Sequence, residues 1–140
     1  MVDKVILIVD DEADVIAYLT AVLDNYDCRI YSANNAEDGF NKAMELHPDL
    51  ICLDIMMPEE SGISLYTKLR NSKKMCDIPV IIISGVEQAH EFDFFKFVND
   101  RSIPPPEHYF EKPIDVDEFC NVVNRLAFED MNPKAKDNSS

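Results

Sequence analysis

The sequence has no apolar run long enough to cross a membrane as a helix. Its longest purely aliphatic stretches are VILIV at 5–9 and VIII at 80–83, against the ~20 residues that a spanning helix needs. It is also poor in positive charge: 13 Lys and Arg stand against 27 Asp and Glu, for a formal net charge of −14. So acidic a chain lacks the basic footprint that nucleic acid or an anionic membrane demands. Cysteine is sparse and scattered. Cys28, Cys52, Cys76 and Cys120 lie 24, 24 and 44 residues apart without a CxxC pair, and His47, His90 and His108 do not cluster, which is poor zinc spacing. Cys28, Cys52 and Cys120 fall in apolar runs and are expected to be small buried hydrophobes. The opening MVDKVILIVDDEADV has an acidic residue at position 3 and no small-residue cleavage site, so it does not read as a secretion signal. The expectation is a soluble cytoplasmic protein that binds neither nucleic acid nor membrane.

What is present is an alternation. The 140 residues, 46% hydrophobic, suit one domain. Strands are expected at 4–9, 28–32, 50–53, 79–83 and 108–111. Between them Val15, Ile16, Leu19, Val22 and Leu23 fall at helical spacing, as do Ala36, Phe40, Ala43 and Met44, then Ile63, Leu65, Tyr66 and Leu69, and finally Phe119, Val123 and Leu126. Five strands alternating with five helices predict a doubly wound parallel sheet covered on both faces. Asn35, Ser61 and Asp115 are expected to cap helices, Asp115 with Glu118 as a box partner, and His47-Pro48 to stop the second helix. The domain is expected to span 1–128, with 129–140 a frayed polar tail.

The polar exceptions in the apolar strands share a position. Asp10 and Asp11 close strand one, Asp54 ends LICLD in strand three, Ser84 closes strand four and Lys112 closes strand five. In an open parallel sheet of order 2-1-3-4-5 all carboxyl ends lie on one rim, and strands one and three flank the switch point where ligands sit. Three carboxylates, a hydroxyl and an ammonium would then share one crevice. Three close carboxylates repel one another, and a hard divalent cation removes the conflict. Oxygen-only ligands favour Mg²⁺ or Mn²⁺. A carboxylate can act as a nucleophile toward phosphate, and phosphoryl transfer asks mainly for alignment and charge neutralisation.

At this point the residues resemble the receiver domain of bacterial two-component response regulators. VILIVDDE, DLICLDIMMPEESG, VIIISG and YFEKP match its motifs in order, over roughly residues 3–128. The resemblance implies a flavodoxin-like three-layer sandwich of the stand-alone type, a signalling domain rather than an enzyme. It implies that Asp54 accepts a phosphoryl group from the phosphohistidine of a sensor histidine kinase or histidine phosphotransfer protein. Asp11, Asp54 and the backbone carbonyl of Met56 would ligate Mg²⁺, with Asp10 helping through water. Lys112 would pair with the phosphoryl oxygens and Ser84 hydrogen-bond one of them; Ser84 and an inward-turning Tyr109 would form the switch, and Lys112-Pro113 would be cis. Output would pass to a downstream protein target, with homodimerisation expected through strand five and the helix before it.

The 84–112 segment is longer than is usual in that family and carries EFDFFKFV. Phe92, Phe94, Phe95, Phe97 and Val98 would spread over roughly 220° of a helix, wider than one core face requires. Either the SIPPPEHY loop covers them or a partner does. Two other functions fit the pattern less well. A Mg²⁺-dependent aspartyl-phosphate phosphohydrolase would carry a second Asp where this chain has Met56. A flavin or nucleotide binder needs a phosphate-cradling loop where DDEAD stands.

Overall fold

The strands β1 (Lys4–Val9), β2 (Cys28–Ala33), β3 (Leu50–Asp54), β4 (Val80–Ser84) and β5 (His108–Glu111) form one parallel sheet in the order β2-β1-β3-β4-β5. This is a computed structural model, and it describes residues 4–24, 26–55, 62–84 and 106–128. The described residues hold four helices: α1 (Ala13–Leu23), α2 (Ala36–Leu46), α3 (Gly62–Asn71) and α4 (Val116–Val123), the last continued by a π-helical turn, Asn124–Phe128. The helix expected between strands four and five, the phenylalanine run, Met56, the Ser61 cap and the tail from 129 lie outside the described residues, as does the side chain of Ser84.

Strand alternation sorts the apolar side chains into two cores. Leu7, Val9, Ile51, Leu53, Val80 and Ile82 face Ala36, Phe40, Ala43, Leu65 and Leu69 of α2 and α3. Ile6, Ile8, Leu50, Cys52, Ile81 and Ile83 face Leu19, Leu23, Phe119 and Val123 of α1 and α4. Successive residues of a strand point to opposite faces, so a strand apolar at every position must be buried on both. That is the condition of β3, buried along its whole length. α2 packs tightly on β1 and α3 at Gly39, where a Cβ would meet Leu65 and both Val9 methyls at 3.1 Å.

Local signals set the helix ends. The Asn35 side chain accepts the Asp38 N–H at 2.8 Å and Asp115 accepts that of Glu118 at 3.1 Å, satisfying amides that the first turn leaves open. The Glu118 carboxylate itself lies 3.9 Å from His108 Nε2. α2 ends at His47, which adopts φ 50° and ψ 63° just before Pro48. Lys112-Pro113 is cis. Three expectations about burial need correction. Met44 is exposed, because it lies beyond the edge of the α2 stripe that Ala36, Phe40 and Ala43 bury. Cys28 and Cys120 are only half-buried, Cys28 packing at the rim of the core under α1 and α4, and Cys52 in β3 is the fully buried thiol.

Candidate functional site

The carboxyl edge of the sheet gathers its polar groups around Lys112. Asp10 directly follows β1, and its N–H continues the ladder to Ala33 O at 3.0 Å, which places its carboxylate firmly. That side chain is buried: Oδ1 accepts the Glu12 N–H at 2.9 Å, and Oδ2 lies 3.3 Å from Lys112 Nζ. Asp54 is the last residue of β3, in register with Ile83 of β4. It is 4% exposed, with Oδ2 3.8 Å from the same ammonium. Lys112 follows β5 and reaches past the end of β4 to both. Its third partner is Glu12 Oε1, at 3.0 Å.

The electrostatics follow from this packing. Burial raises the Asp10 carboxyl above its ordinary value, and the Glu12 amide and the Lys112 ammonium only partly offset it. Burial pulls Lys112 down, but the Glu12 hydrogen bond and the charges of Asp54 and Asp10 together outweigh it, so its ammonium is held above the usual lysine value. The oxygens of Asp10, Glu12 and Asp54 lie within 4.8 Å of one another. Asp10 and Asp54 supply buried hard oxygens without His or Cys, which suits Mg²⁺ or Mn²⁺, so these two carboxylates fit such an ion, while the exposed Glu12 carboxylate is taken by Lys112.

Of the residues singled out in the sequence, Asp10, Asp54 and Lys112 come together. Asp11 does not join them. It is exposed and, with Ser32, Asn34, Asp38 and Lys42, lines a separate cavity of about 520 Å³. Consecutive residues leaving a strand point to different sides, so the pair DD divides between two places. Glu12 takes the third position instead, and it was absent from the sequence-derived set because an acid just before a helix reads as a macrodipole partner. Ser84 ends β4 opposite Glu111, with its backbone between the strands that carry Asp54 and Lys112. Tyr109 lies on β5 opposite Ile82 and is 39% exposed, pointing outward. No helix among the described residues is long and apolar enough to cross a membrane.

Comparison with known proteins extends the picture to the whole sheet. The profile of the response regulator receiver domain matches residues 6–124. The chain is 30% identical over 121 residues to Protein PilH of Pseudomonas aeruginosa, covering 86% of this chain and 95% of PilH. It is 31% identical over 133 residues to the transcriptional regulatory protein SrrA of Staphylococcus aureus, covering 94% of this chain but only 54% of SrrA. Among solved structures, the REC domain of AraT, a response regulator from Geobacillus stearothermophilus, superposes with a TM-score of 0.73. That match covers 99% of this chain and 100% of AraT's domain at 20% identity, which establishes likeness of fold.

Proposed function

The chain belongs to the response regulator receiver domain family, and on that premise we propose that Asp54 is the phosphoacceptor of a two-component relay, with residues 1–128 as the working unit. The observation that carries this reading is one ammonium, Lys112, 3.8 Å from a nearly buried carboxylate at the end of the central strand. Such a carboxylate keeps a fixed direction of attack, and an ammonium beside it can neutralise charge on the equatorial phosphoryl oxygens.

In the proposed reaction an Asp54 oxygen attacks the phosphorus of a phosphohistidine. A P–O bond forms as the P–N bond breaks, and the imidazole departs with the electron pair and takes a proton from water. Lys112 pairs with the incoming oxygens, and Ser84, at the end of β4, hydrogen-bonds one of them. Asp10 and Asp54 would hold a Mg²⁺ ion, with the Met56 carbonyl as a further ligand. When bound, the ion supplies charge neutralisation for phosphoryl oxygens and carboxylates together. Asp10 then has two tasks: it fixes the Glu12 backbone through one oxygen and the acidic edge through the other.

Output is proposed to go through a protein-binding surface, since a net charge of −14 disfavours direct contact with DNA. The test is phosphoryl incorporation from a small acyl-phosphate donor, which should require Mg²⁺ and stop when a chelator is added. Incorporation that ignores the chelator would contradict the reading.

A further inference from the structure

We propose that Glu12 is a positioning residue for Lys112: it holds the ammonium on the solvent side of the acidic cluster in the unphosphorylated protein and yields it to the phosphoryl oxygens once Asp54 is modified. The inference rests on the reading of Asp54 as phosphoacceptor. Three observations support it. The first is distance, since Lys112 Nζ lies 3.0 Å from Glu12, 3.3 Å from Asp10 and 3.8 Å from Asp54.

The second is what the Glu12 side chain forgoes. Glu12 occupies the N-cap of α1 yet makes no side-chain capping bond. Its backbone is pinned instead, with the N–H on Asp10 Oδ1 at 2.9 Å and the carbonyl accepting from Val15 and Ile16 at 3.1 and 3.2 Å. The carboxylate is therefore delivered to Lys112 by a fixed backbone.

The third is burial. The Glu12 side chain is 60% exposed, against 3% and 4% for Asp10 and Asp54. An ion pair with a hydrated carboxylate is weak and exchanges cheaply, whereas one with a buried carboxylate does not. Glu12 can release the ammonium at little cost, so this contact belongs to the resting state alone. Removing it shifts the balance toward the phosphorylated state.

The test titrates beryllofluoride, a phosphoryl mimic, at saturating Mg²⁺ into the full chain and follows backbone amide signals. Glu12→Gln should bind it about threefold more tightly than wild type. Glu12→Asp should do the same although it keeps the charge, because a short carboxylate there caps α1 rather than reaching Lys112. In a Lys112→Gln background, Glu12→Gln should change nothing further. Mg²⁺ alone should bind Glu12→Gln at most about threefold more weakly than wild type, the modest effect of losing one exposed neighbouring charge. Wild-type affinity in Glu12→Asp, or a gain that persists without Lys112, would mean that only bulk charge matters and would overturn the proposal. A tenfold loss of Mg²⁺ affinity in Glu12→Gln would overturn it by making Glu12 a metal ligand. Failure of folded wild type to take up beryllofluoride would instead reject the phosphoacceptor reading, and the proposal with it.

Discussion

Asp10 and Lys112 stand 102 residues apart in sequence and 3.3 Å apart in space, joined across the carboxyl edge of a sheet in which β3 and β4 lie between their strands. The pairing needs every crossover to be right, because it brings the first strand's exit to the last strand's exit. It also sets the charge balance at the edge, where one ammonium faces Asp10, Glu12 and Asp54.

Lys112→Ala should slow phosphoryl incorporation by a factor on the order of 10², the usual loss when one fixed donor to transition-state oxygens is removed. Lys112→Arg, which keeps the charge, should lose less. Single-turnover rates with a small acyl-phosphate donor measure both, and an alanine variant as fast as wild type would remove Lys112 from the reaction.

Without metal, Asp10 should weaken the fold at neutral pH. Its carboxyl is raised by burial, so the folded state binds the proton more tightly than the unfolded state does. The resulting stability is fully present below the ordinary carboxylate value of 3.8 and is lost as pH rises through the folded value. Asp10→Asn should therefore melt above wild type at about pH 7 in chelator, with the gap closing toward about pH 4. Saturating Mg²⁺ should reverse the order, because an ion that binds only the folded state stabilises it. A gap independent of pH would contradict the assignment to Asp10.

Far from that edge, Arg70 is a stabilising latch. Its side chain is 3% exposed and donates to Tyr66 Oη at 3.0 Å, to Cys76 O at 3.1 Å, to Ile78 O at 2.7 Å and to Glu107 Oε1 at 3.0 Å. Glu107 also accepts the Val80 N–H at 2.7 Å, so it ties the start of β4 to the residue before β5. Glu107→Ala should cost about 1–3 kcal/mol in a denaturant titration while leaving phosphoryl incorporation intact. An unchanged midpoint would show the latch to be redundant.

Cys52 should be chemically silent in the folded protein. It is 1% exposed, and burial pushes its thiol up to about 12, leaving almost no reactive thiolate. Iodoacetamide at about pH 8 should label it only after unfolding; native labelling as fast as that of Cys76 would contradict the packing.

Much of this was legible because strands buried on both faces are written as aliphatic runs. KVILIV became β1 without adjustment, and β4 starts at Val80 rather than Pro79 because proline has no N–H for the ladder, although the Pro79 carbonyl accepts from Ile51 at 3.0 Å. The strand-end positions of Asp10, Asp54 and Lys112 followed from topology. The division of Asp10 from Asp11 was not legible, since adjacent acids look equivalent until the direction of each is known. Glu12 was hidden because its partner lies 100 residues away, beyond any local pattern. Arg70 was invisible for the same reason: its burial depends on carbonyls and a carboxylate supplied by later segments.

Asp54 is the residue on which phosphoryl transfer depends in this proposal. The protein and its Asp54→Asn variant, each incubated with a small acyl-phosphate donor and Mg²⁺, can be compared by intact mass. The wild type should gain one phosphoryl group and the variant none, with both folded. Equal gain in the two, or no gain in either, would contradict the assignment of Asp54 as the phosphoacceptor.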